Sequence, residues 1–206
     1  MSTCQICEKR RPRRYCPGVR GDICAPCCGE EREVTVDCPL DCMYLVEARR
    51  HDRLPDVNPD EFPNADIRIK ESFIDDHANL LIALARSLVE SWMETSAATD
   101  FDVREALAAI IKTYRTRESG LIYESRPSNP YAAAIQQGLQ TRIDDGARRL
   151  HEATGMHLVR DSEILALLIF LQRLEIQHNN GRRRGRAFLH FLLQHFPRQP
   201  EPAIVA

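Results

Sequence analysis

All eight cysteines of this chain fall within its first 42 residues, at Cys4, Cys7, Cys16, Cys24, Cys27, Cys28, Cys38 and Cys42, and the 164 residues that follow contain none. Cysteines used as ordinary small core residues would scatter along the sequence. Gathered in one short segment, they imply a shared purpose. That segment has few apolar residues beyond Ile6, Ile23, Val34, Val36, Tyr44 and Leu45. Such a set cannot offset the entropy of ordering about fifty residues, so ligation must supply the folding energy.

The spacings say what kind of ligation. Cys4-x2-Cys7 and Cys24-x2-Cys27 let two thiolates grip one ion from a tight turn. Cys38-x3-Cys42 differs: Pro39 suits a first helical turn, Asp37 a cap, and MYLVEARR continues a helix, which would put both sulfurs on one face. Between these pairs, Glu-Arg-Glu-Val-Thr-Val alternates as a short strand or hairpin would. Knuckle, hairpin and ligand-bearing helix start form a treble-clef-like layout, and eight cysteines fill two four-thiolate tetrahedra, so two zinc ions are expected. Two divisions remain open. Cys24, Cys27, Cys38 and Cys42 form one set and Cys4, Cys7, Cys16 and Cys28 the other; or, cross-braced, Cys4 and Cys7 join Cys24 and Cys27, leaving Cys16, Cys28, Cys38 and Cys42. Both divisions send Cys27 and Cys28 to different ions, as alternating side chains of extended backbone allow. His51 is a spare ligand. An iron–sulfur cluster is the lesser alternative, because the compact C-x2-C-x2-C-x3-C run is missing. Closed four-thiolate sites are structural and leave no open position for water.

The run CCGEEREVTVDCPLDCMYLVEARR resembles the Cys-Cys-Gly…Arg-Glu…Cys-Pro…Cys-x-Tyr-Leu signature of a group of bacterial cysteine-rich proteins of uncharacterised activity. TYRTRESGLIYESRPSNP is similar to a second stretch of that group. The resemblance implies a bacterial origin and a cysteine-rich part followed by a helical domain, and it supplies no activity. Tyr15-Cys16-Pro17 is also similar to HIT-type zinc fingers, in which a second cysteine is expected where Val19 stands.

Beyond the cysteines the pattern changes. Residues 1–51 read as the zinc module, 52–66 as a linker with Pro55, Pro59 and Pro63, 67–197 as an α-helical bundle of about five helices, and 198–206 as a flexible tail. Phe73, His77, Leu80, Leu81, Leu84, Leu88 and Trp92 keep helical spacing across Lys70 to Thr95. A second helix is capped by Asp102 and stopped by Gly120, and a third runs from Tyr131 to near Gly155. The fourth starts at Asp161, and its ILALLIFLQRL is apolar almost all round, as in a buried central helix. A short fifth carries Phe188, Leu189, Phe191, Leu192 and Phe196. The fold class is therefore mainly α with a small treble-clef-like zinc module.

No catalytic constellation emerges. His151-Glu152 lacks a second histidine at 155, Glu175-x-x-His178 is half of a di-metal pair, and no phosphate-binding glycine loop is present. The N-terminus MSTCQICEKRRPRR has no secretory h-region, and Ile164–Leu171 is too short to cross a bilayer, so the expected location is cytoplasmic. In that reducing setting, clustered cysteines serve metals or redox chemistry rather than disulfides.

A formal net charge of −2 hides segregation. Residues 1–20 hold Lys9, Arg10, Arg11, Arg13, Arg14 and Arg20 against Glu8 alone, and residues 21–50 are acidic. Arg182, Arg183, Arg184 and Arg186 form a second cluster, in a stretch from Ile176 to Arg198 without an acid. These arginines sit where a helix macrodipole disfavours cations, so they need an acidic counterpart. Asp144, Asp145 and Glu175 are internal candidates. Otherwise Arg10, Arg11, Arg13, Arg14 and the second cluster can contact a polyanion, with only Tyr15 nearby for stacking. The functional reading is a non-enzymatic zinc-binding interaction or regulatory module for a protein or nucleic acid. Its rivals are an enzyme with a site in the bundle and a thiol-based redox sensor.

Overall fold

The structure, a computed structural model, describes residues 2–53, 55–58, 61–120, 123–156 and 159–197. The expected tail at 198–206 and the linker residues Leu54, Pro59 and Asp60 lie outside the described residues. Among the described residues the chain forms eight helices and one two-stranded sheet, so it is mainly α behind a cysteine-rich N-terminal part.

In that part, strands β1 (Arg14–Cys16) and β2 (Gly21–Ile23) pair antiparallel, with Arg14 opposite Ile23 and Cys16 opposite Gly21. Helix α1 (Ala25–Glu30) follows at once, and α2 (Met43–Arg49) comes after a turn-rich segment. Three local expectations fail here. The hairpin lies at 14–23, before the second cysteine pair, and residues 31–36 form a turn in which Val34, Thr35 and Val36 all donate to the Glu31 carbonyl. Glu33 turns the chain there in the left-handed region (φ 54°), which breaks the alternation of Glu-Arg-Glu-Val-Thr-Val. Cys38 and Cys42 share no helix face, because Cys42 is still extended (ψ 116°) as the cap of α2. Cys27 and Cys28 diverge on a helix rather than on extended backbone.

The remaining helices are α3 (Glu71–Asp76), α4 (Ala78–Met93), α5 (Asp100–Glu118), α6 (Pro130–Thr154), α7 (Asp161–His178) and α8 (Ala187–His195). The single helix expected over 70–95 is broken at His77, which leaves helical geometry while its Nδ1 sits 2.8 Å from the Phe73 carbonyl. Helix α5 is capped by Thr99, not Asp102. Asp102 instead reaches back to accept the Thr99 N–H at 2.7 Å, completing a capping box. Asn129 caps α6 through the Tyr131 N–H, and Gly155 ends it in the left-handed conformation (φ 71°) that favours glycine.

Helix α5 packs on both α6 and α7, α4 packs on α6, and α8 lies across α4, α5 and α7. The shared core takes Leu88, Leu107, Ile110, Ile135, Leu139, Leu168 and Phe188 fully out of solvent. Leu40 of the cysteine segment packs against it. The end of the expected linker is also fixed to the bundle: Arg115 binds Asn64 and Asp66, and Arg173 Nη2 donates to the carbonyls of Asn64 and Ile67.

Candidate metal centre

The knuckle at Cys4 closes through two backbone bonds, Cys4 N–H to the Arg10 carbonyl (2.9 Å) and Glu8 N–H to the Cys4 carbonyl (2.7 Å). The β1–β2 hairpin then carries the chain back, so that Cys24 and Cys27 arrive at the start of α1 facing the knuckle. The sulfurs of Cys4, Cys7, Cys24 and Cys27 all lie within 4.8 Å of one another, the one such group among the described residues. Cys7 Sγ and Cys24 Sγ are 3.9 Å apart. Thiolates on a tetrahedron with zinc–sulfur bonds of about 2.3 Å stand about 3.8 Å apart, so the set fits a single zinc-sized ion.

The electrostatics of the group match. Burial works against ionisation of Cys4, yet N–H donors from Cys7, Cys24 and Ile6 outweigh it and bring the thiol down to about 6. N–H groups of Lys9 and Arg10 lower Cys7 as well. Burial, with the neighbouring Cys24, Cys7 and Cys4 behind it, pushes Cys27 up to about 12. Four thiolates can coexist there only around a cation.

The other four cysteines arrive from separate places. Cys16 ends β1, Cys28 sits on α1, and Cys38 and Cys42 precede α2, yet all four line one cavity of about 20 Å³. That is room for one water-sized sphere. Ile23, Val36 and Leu45 make its apolar wall. Arg14 and Arg32 supply positive charge: Arg14 Nη1 is 3.5 Å from Cys28 Sγ, and its guanidinium lies 4.4 Å over the Tyr44 ring. Arg32 Nε is buried and makes no hydrogen bond, to sulfur or to oxygen. The first set of the cross-braced division is thus assembled, whereas no three of the sulfurs of Cys16, Cys28, Cys38 and Cys42 come within 4.8 Å of one another. The alternative pairing of Cys24 and Cys27 with Cys38 and Cys42 is not assembled. His51 joins neither set, since its exposed ring lies 3.5 Å from Glu47.

The two basic clusters part company. Arg10 and Arg14 attend sulfur, with Arg10 Nη1 4.0 Å from Cys24 Sγ. Arg11 and Arg13 are exposed and line a cleft of about 690 Å³ with Lys9, Arg14 and Tyr15, a residue 61% exposed. Asp22 is the one acid on its walls. In the second cluster, Arg182 Nη1 donates to the Arg32 carbonyl (2.6 Å), Arg184 N–H to the Glu33 carbonyl (2.8 Å), and Arg186 pairs with Asp37 at 2.8 Å. The side chains of Arg183 and Arg184 remain exposed. The internal partners are therefore not those expected. Asp144 accepts from Gln140, Asp145 pairs with Arg148, and Glu175 is buried against Arg104 and Asn179.

Sequence reading missed the residue at the centre of this junction. Glu33 is 2% exposed, and its carboxylate accepts from Arg49 Nη2 (2.7 Å), Asn180 Nδ2 (2.9 Å) and the Arg186 N–H (3.2 Å). A buried non-glycine residue held at positive φ persists only where its surroundings over-determine it. Glu33 thereby ties α2, the 179–186 loop and the cysteine segment together. Asp100 works similarly on the bundle side. It begins α5, is fully buried, and its two carboxylate oxygens accept the N–H groups of Phe188 and Leu189 at the start of α8. Burial pushes its carboxyl up to about 7, against the pull of those two donors. No local pattern reveals either residue, because every partner is distant in sequence.

Comparison of the chain with family models, with curated proteins and with solved structures finds no match. Four clustered thiols able to hold a metal ion, and a helical bundle attached to them, define the chain on its own geometry. Among the described residues, no helix is long and apolar enough to cross a membrane.

Proposed function

We propose that this chain is a non-enzymatic zinc protein, cytoplasmic and of the bacterial cysteine-rich group its signature resembles, whose N-terminal module is built on two ions and binds an anionic partner. The mutual approach of Cys4, Cys7, Cys24 and Cys27 carries the reading, since a closed four-thiolate site folds a module and leaves no position for substrate. The cavity shared by Cys16, Cys28, Cys38 and Cys42 supports the second ion. For the partner, a nucleic acid is favoured over a protein. The cleft of Lys9, Arg11 and Arg13 joins phosphate-binding charge to one exposed ring, Tyr15, on which a base can stack. Titration of labelled single-stranded DNA and RNA at two salt concentrations tests this. The reading expects salt-sensitive affinity that weakens in the Arg11→Gln, Arg13→Gln double variant. Absence of any salt-sensitive affinity in the intact protein contradicts the polyanion partner and leaves the metal centres untouched.

A further inference from the structure

Arg49 ends α2 with its side chain only 8% exposed. Its Nη2 binds Glu33, but Nε and Nη1 are buried and make no hydrogen bond. Buried guanidinium nitrogens are ordinarily supplied with acceptors, so two without one leave donor capacity unused at this side chain. Arg49 lines a cleft of about 410 Å³ at the junction, with Arg50, Asp52 and Arg53 on one side and α7–α8 residues on the other. The α7–α8 wall offers His190, Asn180 and Gln194 and belongs to the stretch from Ile176 to Arg198 that contains no acid. Ala187 brings the first turn of α8, the positive end of that helix, to the same cleft. Asp52 is the one carboxylate on its walls. Arg50 is balanced by Glu47, and Arg53 makes no ion pair among the described residues. Phe191, stacked on His178 at 3.7 Å between centroids, supplies a flat apolar side.

We propose that this cleft binds a phosphoryl group, free or carried on a small organic molecule, with Arg49 as its buried donor and Arg53 as its outer cation. The volume exceeds what inorganic phosphate fills, and the Phe191–His178 face gives a carrier group something to lie against. Occupancy joins α2 to α8, so the ligand fastens the cysteine segment to the bundle. The site shares no residue with the Arg11–Arg13 cleft and stands or falls separately from the polyanion reading.

Calorimetric titration of the full metal-loaded chain with inorganic phosphate and with adenosine monophosphate tests it, with sodium chloride at matched ionic strength as control. Saturable binding of at least one probe is expected. A tenfold tighter response to the nucleotide identifies a carried phosphoryl group, and equal responses identify the free anion. Arg53→Gln and Gln194→Glu lie at the cleft without anchoring Glu33, and each should weaken binding about tenfold or more. Arg148→Gln, on α6, should leave binding unchanged. Arg49→Gln should abolish binding, and the other two variants carry the test if that protein fails to fold. Absent saturation with both probes, reproduction of the response by chloride, or unchanged affinity in Arg53→Gln and Gln194→Glu would overturn the proposal.

Discussion

In the helical bundle, side chains such as Leu107, Ile110, Leu139, Leu168 and Phe188 are fully buried against one another, whereas the buried set of the cysteine segment is Cys4, Cys16, Cys24 and Cys27 with only Ile23, Val36 and Leu45 as buried aliphatics. The bundle is held by apolar area removed from water, a term that grows smoothly with size. The cysteine segment is too small for that, and four of its sulfurs, those of Cys4, Cys7, Cys24 and Cys27, cluster around a point where a cation would sit. Between them lies a third kind of material, a polar seam of Glu33, Arg49, Asn180, Arg182 and Arg186. The difference teaches that the two regions should fail under different treatments, and that the seam should respond to both.

The largest effect should come from metal removal. Zinc ligation contributes on the order of 10 kcal/mol per site at neutral pH. Excess chelator, or Cys7→Ser, should therefore unfold the first fifty or so residues while far-UV circular dichroism retains the bundle's helical signal and its cooperative melting. Simultaneous loss of bundle cooperativity would mean that the two regions form one core.

A change at the seam should come next. Glu33→Ala leaves Arg49 buried without its carboxylate, a change that costs about 3–5 kcal/mol in comparable buried pairs. Limited proteolysis should then cut between α2 and α3 far faster than in the parent protein, with zinc content unchanged. Equal cleavage rates would show that the seam is not what joins the regions.

Asp100 sharpens the comparison from the bundle side. Its folded value of about 7 stands above the unfolded value of about 3.9, so its contribution is fully present below about pH 4 and is lost as pH rises through about 7. Bundle stability in urea should fall across that window with a limiting slope of about 1.4 kcal/mol per pH unit beyond that of Asp100→Asn. Parallel pH profiles for the two proteins would place the ionised carboxylate comfortably on the α8 N–H groups.

The smallest effect on stability belongs to the exposed arginines. Arg11→Gln with Arg13→Gln should shift unfolding by no more than about 0.5 kcal/mol, while the logarithmic salt slope of single-strand binding drops by about 1.4.

How much of this was legible in the sequence differs by region for a physical reason. Helical periodicity is local, so α5, α6, α7 and α8 could be placed to within a few residues, as could the stop at Gly155. Cysteine spacing is local too, and it gave the number of thiols and the knuckle pairs. Which pair faces which depends on where the chain reverses, first at the β1–β2 hairpin and again at Glu33, and the second reversal has no turn residue to announce it. Long-range partners were illegible for the same reason. Nothing near Arg186 in sequence points to Asp37, and nothing near Asp100 points to the α8 backbone. The arginine cluster at 182–186 did signal an unmet need for acid, and three of its members meet the 32–37 segment of the cysteine region.

The measurement that bears most directly on the account is the zinc-to-chain ratio of the purified protein, by elemental analysis, alongside that of Cys28→Ser. Cys28 belongs to the cavity set and not to the Cys4, Cys7, Cys24 and Cys27 group, so the variant separates the two centres. The account predicts a ratio near two that falls to one in the variant while the bundle stays folded. A ratio near one in both proteins would contradict the second centre, and zinc absent from both would contradict the account as a whole.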